Sequence, residues 1–170
     1  MKKVFFLAAL LVCSIAAQAQ RFALVDMEYI LKQIPAYEQA NQQMESLSKQ
    51  WQSEVEAKAQ EAKTMYDEYQ KNASNLSATQ KTAQENAIIA KEKEAADLRK
   101  KYFGPEGEGM KKRQELITPI HDAIYNAIKD IATQKNYDAV IDRASAQSMI
   151  FASPRIDISN EVLAKLGYSN

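Results

Sequence analysis

Between Tyr37 and Leu76 the apolar residues recur in steps of three or four: Tyr37, Ala40, Met44, Leu47, Trp51, Val55, Ala59, Ala62, Tyr66, Tyr69, Ala73 and Leu76. Only an α-helix gathers residues with that spacing on one face. A helix of about 35 residues is roughly 50 Å long at 1.5 Å per residue. The residues between are mostly Gln, Lys, Glu and Ser. A long helix with one narrow apolar stripe has to cover that stripe with something. The period is close to a coiled-coil seam, but alanine and aromatics stand where leucine would make a strong zipper. The expectation is a loose helical pair.

The rest of the chain supplies the partner. Residues 72–79 (Asn-Ala-Ser-Asn-Leu-Ser-Ala-Thr) cluster the residue types that make turns. Ser77 and Gln80 have capping-box spacing and would start a return helix. That helix carries a sparser stripe of Ala83, Ala87, Ile88, Ala95, Leu98 and Tyr102. An antiparallel hairpin covers both stripes. Residues 103–109 hold three of the four glycines and one proline, and should break the return helix. The stripe then resumes with Leu116, Ile117, Ile120, Ile124, Ala127, Ile128 and Ile131. Such dense branched residues indicate deeper burial. Thr118-Pro119 fits either a helix start or a kink, and Asn136 fits a helix end.

The two flanks read as one small α+β unit. Phe22-Ala23-Leu24-Val25 reads as a buried strand, and Asp26 as the N-cap of a short helix through Gln33. Pro35 suits the first turn of the next helix. Residues 137–142 read as a strand, residues 147–152 as another, and residues 143–146 as the hairpin turn joining them. Ser159 is placed to cap a last helix through Leu166, with Gly167 just beyond it. The expected fold class is α+β, mainly α: a small head containing strands and a long antiparallel helical hairpin. By residue number, 20–34 give the first head segment. Residues 35–114 give the arm, and 115–170 return to the head with a helix, two strands and a C-terminal helix.

Residues 1–19 read as a cleaved secretory signal: Lys2 and Lys3, an apolar run from Val4 to Ile15, then Ala17-Gln18-Ala19. The only cysteine, Cys13, lies inside it, so no disulfide or thiolate metal site is expected in the mature chain. Without Lys2 and Lys3, 20 basic side chains face 22 acidic ones, a formal charge of −2. Nucleic-acid binding needs a dense basic face and is not expected. His121 beside Asp122 makes no metal site, because neighbours on a helix point apart. Asp138 and Asp142 share a strand face but have no base, nucleophile or phosphate loop with them. They read as strand-end or interface residues, and Asp157 as ordering the start of the last helix. No cofactor, metal or enzymatic activity is expected.

The order of parts resembles the Skp/OmpH family of periplasmic chaperones across the whole mature chain. The residues that carry the resemblance are Ala23-Leu24-Val25-Asp26, Tyr137-Asp138-Ala139-Val140-Ile141-Asp142, and Asp157-Ile158-Ser159-Asn160-Glu161-Val162-Leu163. Between them lie the polar helical pair and Phe103-Gly104-Pro105-Glu106-Gly107, which looks like the Bacteroidetes-type variant. The resemblance implies a homotrimer with a β-barrel head and three helical arms around a cavity. It also implies shelter of unfolded outer-membrane proteins there without ATP. The best-known members are strongly basic and this chain is near neutral, which weakens the case for an electrostatic grip on lipopolysaccharide or a membrane surface. The other reading is a structural coiled-coil spacer or adaptor of the envelope, which would want a cleaner heptad seam.

On this resemblance Phe22, Leu24, Val25, Val140, Ile141, Ile150 and Phe151 are the trimer-head residues. Met65, Tyr66, Tyr69 and Leu76 are the client-binding candidates. Tyr66, Tyr69 and Leu76 fall in the stripe, which favours packing on the return helix, whereas Met65 lies beside it and is the freer side chain. Trp51 fits either a cavity lining or the hairpin seam, with the seam preferred. Gly104, Pro105, Gly107 and Gly109 fit either a hinge or a tolerated bulge.

Overall fold

The computed structural model describes residues 21–168. The expected signal, with Cys13, lies outside them. Contacts divide the chain into two units, one of residues 35–121 and one combining the segment up to Ile34 with that from Asp122 onward.

The first unit is built on the hairpin. Helix α2 runs Pro35–Asn72, a one-turn 3-10 segment covers Ala73–Asn75, and helix α3 runs Ala78–Phe103. (Helix α1 belongs to the other unit.) Pro35 is the first helical residue, where its missing N–H is harmless. Lys91 meets Glu61 at 3.5 Å, and Tyr69 bonds to Glu85, so α3 runs antiparallel to α2. The seam is thin. Ala40, Val55 and Ala62 are the buried residues of α2; Ile88, Ala95 and Tyr102 are those of α3. The capping box is present in both directions: Gln80 N–H donates to Ser77 Oγ at 3.3 Å, and Ser77 N–H donates to Gln80 Oε1 at 2.9 Å.

Helix α3 ends where the sequence says it must. A proline pushes the residue before it out of the helical region, and Gly104 sits at ψ 165°. The Gly107 N–H then donates to the Gly104 carbonyl at 2.9 Å. The turn has Pro105 at its second position and glycine at its fourth, the preferred places for each. Helix α4 starts at once and runs Glu108–Lys135, through the division between the units. Pro119 lies inside α4 and neither starts nor ends it. The helix is already nucleated eleven residues earlier at Glu108, so one lost donor is tolerated.

The other unit holds β1 (Phe22–Val25), α1 (Met27–Lys32), the C-terminal part of α4, β2 (Ala139–Asp142) and α5 (Ser159–Lys165). Asp26 caps α1 by accepting the Tyr29 N–H at 2.8 Å. Strands β1 and β2 are parallel, with Phe22 opposite Ala139 and Val25 opposite Asp142. The buried apolar residues Leu24, Val25, Ile30, Ile124, Ile131, Val162 and Leu163 form the core. Both C-terminal helix ends close with a left-handed residue, Asn136 at φ 52° and Gly167 at φ 85°. Beyond them Tyr137 N–H reaches the Ala132 carbonyl and Tyr168 N–H the Leu163 carbonyl, each at 2.9 Å.

Three expectations are corrected. Residues 147–152 are not a strand, and residues 143–146 are not a hairpin turn. The apolar run has no edge of β1 to pair with. One edge takes β2, and the other is met at Leu24 by Asp157, with the Ile158 N–H donating to the Leu24 carbonyl at 2.9 Å. Residues 143–146 are turned by Asp142, whose Oδ1 accepts the Ala144 N–H at 3.0 Å. Nor does the Ser159 hydroxyl cap α5. It accepts the Asp26 N–H at 2.8 Å and donates to Asp157 Oδ1 at 2.6 Å. Asp157 orders the helix start instead, accepting the Ser159 N–H at 2.9 Å.

Candidate functional site

The surface available for function in the hairpin unit is set by which stripe residues the seam leaves uncovered. Near the turn, Met65 and Tyr69 are half-buried and line a cleft of about 190 Å³ with Glu68, Asn72, Gln84, Ala87 and Ile88. Met65 therefore faces the return helix. Tyr69 donates its hydroxyl to Glu85, and that bond lifts the phenol above its ordinary pKa range. Leu76 is half-buried in the turn. Tyr66 is the open aromatic, 45% exposed, with only Gln70 bonded to its hydroxyl at 2.7 Å. Met65 lies beside the stripe in sequence yet lines the cleft with Ala87 and Ile88 of the return helix, whereas Tyr66, within the stripe, stays open.

At the other end of the hairpin the ring of Trp51 stacks on Tyr102 at 5.1 Å, with 8° between planes. Phe103 meets Trp51 edge-on at 6.4 Å. The Tyr102 hydroxyl donates to Glu54 Oε2 at 2.7 Å, which raises its pKa. Trp51 thus packs in the seam, as preferred above. Phe103 was read only as part of the break. Its role in an aromatic cluster was missed, although Trp51 and Tyr102 lie almost symmetrically about the turn.

The glycine segment packs tightly. A Cβ on Gly104 would lie 2.4 Å from the Lys100 carbonyl oxygen, and one on Gly107 would lie 2.8 Å from that of Lys101. One on Gly109 would lie 2.9 Å from the Tyr102 carbonyl oxygen. Pro105 sets the turn between them. Such close backbone approach describes a packed corner.

In the α+β unit the candidate head residues separate into two groups. Leu24 and Val25 are buried, and Val140 is half-buried. Phe22 and Ile141 are exposed, and Ile150 and Phe151 are the most exposed large apolar residues, at 101% and 83%. Arg143, which the sequence reading passed over, joins two segments. It reaches Asp26 at 2.9 Å and Asp157 at 3.3 Å. Asp138 accepts the Arg21 N–H at 2.8 Å, and Asp142 accepts the Met27 N–H at 3.2 Å, so both serve strand ends. Among the described residues no His, Cys, Asp and Glu group could hold a metal ion, and no helix is long and apolar enough to cross a membrane.

Comparison with known proteins agrees with this geometry. The family described as "Outer membrane protein (OmpH-like)" matches residues 21–166. The Chaperone protein Skp of Yersinia enterocolitica is 28% identical over 156 residues, covering 92% of each chain. That of Photorhabdus luminescens is 30% identical over 127 residues, covering 75% of each. A solved OmpH-like structure from Caulobacter crescentus superposes with a TM-score of 0.68 over 89% of this chain and 86% of that one, at 11% identity, which speaks to the fold. With its helical hairpin, its small parallel sheet and a match over nearly every described residue, this chain belongs to the OmpH-like family.

Proposed function

We propose that the chain is a periplasmic chaperone for outer-membrane proteins, and that it acts as an ATP-independent holdase. Family membership supports the class of activity. The observation that carries the holdase reading is the hairpin's thin seam. It buries few large side chains and leaves Tyr66, Ile89 and Phe103 exposed along the two helices. Scattered apolar contacts on a polar support bind weakly at each point and suit many sequences. A client whose strands have not yet paired exposes aggregation-prone edges. Many weak contacts shield those edges and still let the client leave.

Within this reading Tyr66 is the leading client contact of the four near the turn, with Leu76, Tyr69 and Met65 contributing from partly covered positions. The working form is a homotrimer assembled through the α+β units. An isolated two-stranded sheet is marginal in water, and Phe22, Ile141, Ile150 and Phe151 offer the apolar surface that partner copies would cover. The test is sedimentation velocity of the chain with and without a urea-unfolded β-barrel protein, in the absence of nucleotide. A trimer that carries the client in one complex supports the reading. A monomer, or a trimer sedimenting apart from the client, contradicts it.

A further inference from the structure

The α+β unit is tied down from its first described residue. Arg21 is held by both of its backbone groups to one residue of the distant C-terminal segment. Its N–H donates to Asp138 Oδ2 and its carbonyl accepts the Asp138 N–H, each at 2.8 Å. Its guanidinium lies over the Tyr137 ring, 5.5 Å from the centroid. Phe22, the next residue, already pairs with Ala139 at the start of β1. Ala23, Leu24 and Val25 follow and are all buried. The strand has only four residues and its sheet only two strands, a size that is marginal in water. The anchor at Arg21 therefore carries more weight than the end of a longer strand would.

Cleavage after Ala19, as expected from Ala17-Gln18-Ala19, leaves a single residue in front of that anchor, Gln20. Gln20 lies just outside the described residues, and the argument uses only its residue type and its place in the chain. A glutamine at a free N-terminus carries an amine and an amide that can close a five-membered lactam. A free amine there would also admit aminopeptidases. Two cuts would remove Arg21 with both of its bonds to Asp138 and leave Phe22 as the terminus.

We propose that position 20 is a modification site, closed to pyroglutamate in the secreted chain, and that the lactam protects β1 from trimming. The α-amine nitrogen attacks Cδ of the Gln20 side chain. The new N–Cδ bond forms, the Cδ–Nε2 bond breaks, and a proton passes to the departing nitrogen, which leaves as ammonia. Nothing is oxidised or reduced, and no second substrate enters. The attack needs the neutral amine, which an ordinary α-amine pKa of about 8 supplies in part at neutral pH. The product carries no terminal charge and offers aminopeptidases no amine. The inference rests on the secretory reading of residues 1–19 and is independent of the holdase reading.

The test is mass spectrometry of the intact chain isolated from the cells that secrete it. The mass should equal that of the sequence from Gln20 onward less one ammonia. Stepwise N-terminal degradation should release nothing until pyroglutamyl peptidase has acted on the denatured chain, after which Arg21 appears first. Gln20→Ala keeps a residue that the cleavage site accepts and leaves a free amine. With a broad-specificity aminopeptidase that variant should lose Arg21 and then show a lower Tm, whereas the wild type should keep its mass. A free glutamine at position 20, or a chain beginning at another residue, overturns the modification. Equal resistance of Gln20→Ala and the wild type, or trimming past Arg21 with no change in Tm, overturns the protective role. None of these results touches client protection, and failure to protect a client with pyroglutamate in place refutes the holdase reading alone.

Discussion

Trp51 and Tyr102 stack nearly parallel, 5.1 Å between centroids, across the two helices of the hairpin. Half of the residues buried along the two helices are alanines, and this pair with the Phe103 edge supplies an aromatic contact between α2 and α3. Trp51→Ala should destabilise the hairpin by about 1–3 kcal/mol, below the usual cost for a fully buried tryptophan because the ring is only half-buried. Hydrogen exchange should show the loss around residues 47–54 and 99–109. Trp51→Phe should recover most of the protection, and an unchanged exchange pattern in Trp51→Ala would contradict the account of the seam.

The Gly104 position has no room for a methyl group. Gly104→Ala places a carbon 2.4 Å from the Lys100 carbonyl oxygen, which cannot move without opening the last turn of α3. The expected cost is about 1–3 kcal/mol, read as a lower Tm by circular dichroism. A hinge that tolerates many conformations would absorb the methyl group with no change in Tm.

The capping box at the turn holds the start of α3. Ser77→Ala removes the acceptor for the Gln80 N–H and should cost about 0.5–2 kcal/mol, with fraying confined to the first turns of α3. Ser77→Asp should retain the cap. Amide exchange at residues 78–82 separates the two outcomes.

Asp26 makes the α+β unit acid-sensitive. The Tyr29 N–H and the Arg143 guanidinium hold its pKa below the ordinary 3.8, against a smaller opposing effect of burial. A depressed folded-state pKa contributes stability that is fully present above the unfolded value and is lost as pH falls through the folded one. The Tm should therefore hold from neutral pH to just above 4 and drop below it. Asp26→Asn should be less stable at pH 7 and show a shallower acid decline. A wild-type Tm that does not change between pH 5 and pH 3 would contradict this.

Much of the fold was legible because it rests on local chemistry. The stripe from Tyr37 to Leu76, the Ser77 and Gln80 pair, Pro105 after Gly104, and Asp26 before α1 each act within a few residues. The pairing across the hairpin was legible in principle, since Trp51 with Tyr102, Glu61 with Lys91 and Tyr69 with Glu85 all lie nearly symmetrically about residues 76–77. The errors fall where distant segments decide. Residues 147–152 have strand-like composition but no free edge of β1 to join. Ser159 has an ideal capping side chain, but Asp26, 133 residues away, claims its oxygen. Which residues of the stripe stay open, Tyr66 more than Met65, depends on how α2 and α3 pack against each other, which periodicity alone does not encode.

The central claim is that this chain keeps unfolded outer-membrane proteins from aggregating without consuming ATP. Light scattering of a urea-denatured outer-membrane β-barrel protein diluted into buffer, with and without a trimer-equivalent excess of the secreted chain, tests it most directly. The account predicts that scattering is suppressed with no nucleotide present, and that Tyr66→Ser weakens the suppression. Scattering that rises equally with and without the chain, while sedimentation shows it folded and trimeric, would contradict the claim and leave an envelope spacer as the better reading.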